Sequence, residues 1–227
     1  MTQPSTGPDA FKVFQNVSRE TIAAFETLNV SRETIGAFEA LVGLLCQWQQ
    51  KINLVGPKTL QEVWTRHILD SAQLFAHLPP EASTLLDLGS GAGFPGLVLA
   101  IMLKERPGTH VHLVESDTRK CAFLREAVRI TAAPAIIHAE RIESLKTADL
   151  GAPFAVITAR ALKPLTELLE LAAPFVGANT KCLFLKGQDV EQELTAAHKY
   201  WKLHYHLAPS LSGPRGVVLI IEGLARA

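Results

Sequence analysis

The stretch Leu85-Leu86-Asp87-Leu88-Gly89-Ser90-Gly91-Ala92-Gly93-Phe94-Pro95-Gly96 decides the fold. A short apolar run ends in glycines at alternate positions, and a helix is expected to start near Pro95. Proline suits the first helical turn, where its missing N–H would have had no partner. Glycines let the chain turn sharply and let a ligand approach the main chain closely. The helix start adds unpaired backbone N–H groups. Gly91 to Gly96 reads literally as G-x-G-x-x-G, the dinucleotide fingerprint. That match begins two residues after Gly89, the glycine directly following the strand. The spacing Asp87-x-Gly89-x-Gly91-x-Gly93 is the better description.

In that form the segment resembles motif I of the class I methyltransferases, where the glycines cradle the methionine and ribose parts of S-adenosylmethionine. Downstream, strands are expected at residues 84–88, 110–115, 135–138, 154–158 and 181–185, with helices between them. Such alternation predicts a parallel sheet covered on both faces. The runs at 203–207 and 217–222 are joined by a link too short for a crossover helix, so they should pair antiparallel. Glu115 stands at the end of the second strand, where an acid accepts hydrogen bonds from ribose hydroxyls. NAD enzymes and methyltransferases share that acid. Three features favour a methyltransferase over an NAD-dependent oxidoreductase: Asp87 just before the glycines, the terminal hairpin, and no second nucleotide-binding half. The expected fold class is therefore α/β, a Rossmann-like class I methyltransferase fold with a mostly parallel seven-stranded sheet and an N-terminal helical extension.

Upstream, residues 1–15 carry Pro4, Gly7 and Pro8 without periodicity and read as a disordered tail. Residues 16–80 read as a helical region, and 81–227 as the cofactor-binding domain, the two forming one compact unit. Asn16-Val17-Ser18-Arg19-Glu20-Thr21-Ile22 recurs as Asn29-Val30-Ser31-Arg32-Glu33-Thr34-Ile35. This is a duplicated helix start with Ser18 and Ser31 as N-caps. Phe38, Leu41, Leu45, Trp48 and Ile52 then recur at helical spacing. Thr59 and Glu62 form a capping-box pattern for a next helix, and Pro79-Pro80 closes the helical region.

Composition narrows the field. Lys+Arg and Asp+Glu both number 22, so any nucleic-acid surface must be a local patch rather than a global field. The longest apolar runs fall short of the ~20 residues of a membrane span, and the start lacks a secretory pattern. A soluble, cytoplasmic protein is expected. Cys46, Cys121 and Cys182 are too scattered for a disulfide framework or zinc site, so no metal is expected.

Six segments make the resemblance specific: Trp48-Gln49-Gln50-Lys51-Ile52-Asn53-Leu54, Arg66-His67-Ile68-Leu69-Asp70-Ser71, the glycine loop, Arg141-Ile142-Glu143, Thr158-Ala159-Arg160-Ala161 and Leu185-Lys186-Gly187. In this order and spacing the chain resembles the small-subunit ribosomal RNA guanine-N7 methyltransferase G family, also called glucose-inhibited division protein B, over about residues 29–223. The first copy of the duplicated segment departs from that pattern. The resemblance implies S-adenosylmethionine as cofactor and 16S ribosomal RNA as partner, within the small ribosomal subunit or an assembly intermediate. It places Gly89, Ser90, Gly91, Gly93, Phe94 and Glu115 at the cofactor, with Ile142 and Glu143 at its adenine. Arg160 borders both cofactor and target base and is the expected catalytic residue. RNA contacts are expected from Lys51, Lys58, Arg66 and His67 in the helical region, and from Lys163, Lys186 and Arg215 on the catalytic face.

His67, Asp70 and Ser71 share one helix face, but nothing near Ser71 forms a nucleophile elbow, so a hydrolase triad is set aside. Guanine N7 carries an in-plane lone pair and has no proton to lose, so the reaction rests on positioning. Consistent with that, no Asp/Asn-Pro-Pro-aromatic segment and no Pro-Cys follows the fourth strand. A methyltransferase for a small metabolite remains an alternative at this point.

Overall fold

The computed structural model describes residues 17–227; the expected N-terminal tail lies outside them. Helix α1 spans Arg19–Thr27 and α2 spans Arg32–Gln49. The serine N-caps are as expected: Ser18 and Ser31 accept hydrogen bonds from the Thr21 and Thr34 amides, both at 3.1 Å. Phe38, Leu41, Val42 and Leu45 form the buried stripe of α2.

The next helix differs from expectation. Short α3 begins at Pro57 (Pro57–Leu60), with Gly56 rather than Thr59 at its N-cap. Pro57 brings the fixed φ of a first helical turn. That leaves the Thr59 hydroxyl to donate to the Gly56 carbonyl at 2.8 Å and to meet the His67 ring at 2.9 Å. The chain continues as a π-helical segment, Trp64–Leu69, into α4 (Asp70–Ala72) and a 3₁₀ turn ending at His77.

The sheet follows. Strands β1 (Thr84–Leu88), β2 (His110–Val114), β3 (Ala135–His138), β4 (Val156–Arg160) and β5 (Lys181–Lys186) are parallel, and β6 (Trp201–Pro209) and β7 (Val217–Arg226) are antiparallel. The spatial order is β3-β2-β1-β4-β5-β7-β6. Strand β4 starts and ends two residues later than the sequence suggested, so Arg160 closes the strand. Phe154 instead packs edge-on against Phe175 and His112. Strand β2 ends one residue early, which leaves Glu115 just beyond it, still at 8% exposure.

Helices α1, α2, α5 (Gly96–Met102) and α6 (Thr118–Thr131), with the π-helical segment, cover one face of the sheet. Helices α8 (Leu165–Ala172) and α9 (Val190–Ala197) cover the other; α7 (Thr147–Leu150) is a single turn before β4. The apolar cluster runs without a break from Phe25 and Phe38 to Leu85 and Val111. Helix α5 is buried all round because it lies between the sheet and the helical extension. Among the described residues, no helix is long and apolar enough to cross a membrane.

The strand order reverses direction between β1 and β4. The connections after them therefore leave toward opposite faces of the sheet, and open α/β sheets bind ligands at such a switch point.

Candidate methyl-transfer site

Gly89, Gly91 and Gly93 all have positive φ, at 67°, 57° and 87°. Gly93 needs its bare Cα most, since a Cβ there would lie 2.8 Å from Leu97 Cβ; one at Gly89 would lie 2.5 Å from Leu162 Cδ1. Leu162 belongs to the loop after β4, so the two sides of the switch point touch across Gly89. Gly91 is different. A Cβ there would meet only the Gly89 carbonyl, at 3.9 Å, so its open side faces the cleft it lines.

The cleft holds about 450 Å³, a size ordinary for a small-molecule site. Gly89, Ser90, Gly91, Phe94, Glu115, Ile142, Glu143, Arg160 and Lys163 all line it. Gly93 does not. Its Cα faces Leu97 and Leu124, so it shapes the loop from below. Sequence reading missed Leu54, Lys120, Glu140 and Leu162, which also line the cleft. The signal for Leu162 was present, two residues past a strand end; Leu54 closes one segment of the resemblance, but nothing local to it pointed at the cleft.

Glu115 organises the loop. One carboxylate oxygen accepts the Gly91 amide at 2.9 Å and the other the Asp117 amide at 2.7 Å. A carboxylate has about four acceptor sites, so acceptor capacity remains on both oxygens for a ribose diol. Asp87 lies behind the loop at 1% exposure. It accepts the Thr158 hydroxyl at 2.7 Å, while its other oxygen has no partner among the described residues. Burial pushes its carboxyl up to about 6, against the opposing pull of the Thr158 hydrogen bond.

Arg160 faces the glycine loop across the cleft. Its guanidinium lies over the Phe94 ring at 5.0 Å. One nitrogen, Nη1, donates to the Arg66 carbonyl at 2.9 Å and stands 3.7 Å from Asp70 Oδ2. Asp70 Oδ1 accepts from Gln73, Ser210 and Ser212. His67 stacks on Phe94 at 5.0 Å. Thr59 spends its only hydroxyl proton on Gly56, so the His67 Nε2–H donates to Thr59 and Nδ1 keeps a bare lone pair. Burial, then the charges of Arg160 and Arg66, push His67 down to about 3.

Two expectations of RNA contact are corrected. His67 is 8% exposed and tucked against Phe94, so it braces the site rather than facing outward. Lys186 is paired with Glu193 at 2.7 Å and donates to the Lys163 carbonyl, its side chain only 9% exposed. A lysine so committed would leave the half-buried Glu193 carboxylate without its counter-charge if it moved. Lys51, Lys58 and Arg215 are exposed; Arg66 and Lys163 are exposed but pair with Glu62 and Glu167. The set-aside triad is absent in geometry too: the Ser71 hydroxyl donates to the His67 carbonyl.

His67 makes stability depend on pH. The folded chain holds its imidazole at about 3 against an ordinary 6.5. Between those values the unfolded chain binds more protons, so this contribution is lost as pH falls from 6.5 toward 3. The slope is at most about 1.4 kcal/mol per pH unit. Asp87 works oppositely between about 3.8 and 6, where the folded state holds the extra proton. Denaturant unfolding of His67→Gln at pH 7 and pH 5 should therefore show a smaller loss on acidification than wild type. Asp87→Asn should show a larger one. Equal losses in all three proteins would refute both assignments.

A family model described as rRNA small subunit methyltransferase G matches residues 34–214. The chain belongs to this GidB family. It is 50% identical over 217 residues to the ribosomal RNA small subunit methyltransferase G of Parvibaculum lavamentivorans, covering 95% of this chain and 89% of that one. It is 51% identical to the protein of the same name from Paramagnetospirillum magneticum, covering 97% of each. Among solved structures, the O-methyltransferase TomG from Streptomyces achromogenes in complex with SAM aligns with TM-score 0.55 at 14% identity, over 82% of this chain and 89% of that one. TYW2 from M. jannaschii in complex with AdoMet aligns with TM-score 0.53 at 13% identity, over 78% and 80%. These structural likenesses carry the fold alone. For a GidB methyltransferase the methyl donor is S-adenosylmethionine, and this cleft fits it: an open glycine face, a carboxylate with spare acceptor sites, and half-buried Ile142.

Proposed function

We propose that the protein methylates N7 of a guanine in small-subunit ribosomal RNA, in the cytoplasm, on the RNA or on an assembling subunit. The reading rests on membership of the GidB family and on one geometric observation: the acid and imidazole groups beside Arg160 are committed or closed off, Asp87 among them at 1% exposure behind the glycine loop. His67 donates to Thr59 and carries its lone pair into the protein interior. Asp70 is engaged by three donors. None is placed to take a proton from a substrate amine or hydroxyl, and N7 requires no such acceptor.

The bound cofactor supplies a methyl carbon on a sulfonium. Gly89 and Gly91 would present backbone to it, Glu115 would take its ribose hydroxyls, and Ile142 and Glu143 would meet its adenine. Arg160 has further N–H groups beyond the one held by the Arg66 carbonyl. They suit the O6 acceptor on the guanine edge, leaving the N7 lone pair aimed at the methyl carbon. The cofactor would supply an electrophilic methyl, its S–C bond breaking as the N–C bond forms and its positive charge passing to the base. Exposed Arg66, Arg215 and Lys163 would take backbone phosphates.

Base-resolved chemical mapping of N7-methylguanosine tests this. Cells lacking the protein should lose one such mark from small-subunit RNA and regain it with the wild-type gene. Retention of every mark would overturn the reading.

A further inference from the structure

The turn between β6 and β7 lies on the cofactor side of the sheet. Strand β7 runs antiparallel to β5 with Val217 opposite Lys186, so the turn emerges where β1–β5 end. It is closed by the Ser210 amide on the Gly216 carbonyl at 3.1 Å and folded by the Gly216 amide on Gly213 at 3.2 Å. Gly216 is required, since a Cβ there would lie 2.8 Å from that of Ser210.

The tip is pinned to the helical extension. Ser210 and Ser212 hydroxyls donate to Asp70 at 3.2 and 2.6 Å, and the Leu211 amide donates to Gln73 Oε1 at 2.7 Å. Gln73 is 3% exposed. The same Asp70 carboxylate turns its other oxygen to Arg160. So the tip hangs from the group that stands beside the base-holding arginine.

Two side chains on this fixed tip have no partner. Leu211 is 52% exposed. Arg215 is exposed and makes no ion pair among the described residues. Single exposed leucines are common, but this one is held by its own backbone amide next to the Asp70 carboxylate that faces Arg160. Residues 209–217 include no acid, so the tip suits a polyanion.

We propose that the β6–β7 tip is an RNA wedge: Leu211 enters the base stack that the target guanine leaves, and Arg215 contacts the adjoining phosphate. This rests on the RNA-methylating reading above. A base inside folded RNA must leave its stack to reach a cleft, and apolar side chains inserted between bases hold such openings in other complexes. Burying a leucine offsets part of the unstacking.

The test uses the full chain, with single-turnover transfer at saturating cofactor to an RNA fragment carrying the mapped guanine. Leu211→Ser should slow transfer at least 10-fold, with melting temperature and cofactor affinity unchanged, and Leu211→Phe should recover most of the rate. A second fragment with an abasic site beside the target, already unstacked, should return Leu211→Ser to within about 3-fold of wild type. Transfer by Leu211→Ser at the wild-type rate, or an equal deficit on both fragments, would overturn the wedge. So would a deficit confined to whole small subunits, which would assign the tip to a ribosomal protein. Failure of the wild type on the unmodified fragment and on whole subunits alike would instead count against the methylation reading itself, and the wedge with it.

Discussion

Arg160→Ala is expected to slow single-turnover methyl transfer about 100-fold, with a much smaller effect on folding. The guanidinium lies over Phe94, lines the cleft and has N–H groups beyond the one held by the Arg66 carbonyl. Losing a group that orients a reacting base costs rate of that order. The stability loss should be about 1–2 kcal/mol, because the Arg66 carbonyl loses one donor while Asp70 keeps Gln73, Ser210 and Ser212. Arg160→Lys should not restore the rate. Its ammonium keeps the charge but lacks the planar fork that covers an aromatic face and donates in two directions. Rates at saturating cofactor, set beside melting temperatures, decide the matter. Wild-type transfer by a folded Arg160→Ala protein would remove this residue from the active site.

Glu115→Ala is expected to weaken S-adenosylmethionine binding 10- to 100-fold or so. A hydrogen bond to a charged group contributes about 1.5–3 kcal/mol, which spans that range at 1.4 kcal/mol per decade. The structure gives this carboxylate a second duty. Its oxygens also hold the Gly91 and Asp117 amides, so the alanine variant loosens the loop that presents Gly91. Glu115→Gln should fall between, since one of those amides would face the side-chain NH₂. Calorimetric titration with S-adenosylmethionine measures the loss, with a denaturation curve as control. Unchanged affinity in a folded alanine variant would exclude Glu115 from the site.

The sheet was legible because its signals are local. Seven apolar runs, the glycine loop and two serine caps each lie within a few residues of the element they specify. The boundaries that slipped did so for tertiary reasons. Phe154 has the apolar character of a strand residue, yet its place is fixed by Phe175 and His112. Thr59 carried a capping signature, yet its oxygen serves His67. The site divides along the same line. Glu115 was found because it follows a strand, whereas Ile142 and Arg160 came from the family resemblance. The roles of Asp70 and Gln73 were hidden because their partners lie about 140 residues away, beyond any periodicity. His67 and Lys186 look like RNA-facing cations on paper; only packing shows one under a ring and the other beside Glu193.

That long reach has a consequence for biogenesis. Asp70 is synthesised early and Ser212 near the end of the chain, and the two meet at 2.6 Å. Contacts between such distant segments wait on costly loop closure and tend to form late. While the nascent polypeptide still lacks its terminal hairpin, the carboxylate beside Arg160 has no serine partners, and the rim remains open. Catalytic competence is thereby tied to the completed chain: a product truncated after β5 would keep the glycine loop and Glu115, yet lack the tip that holds Asp70 in place.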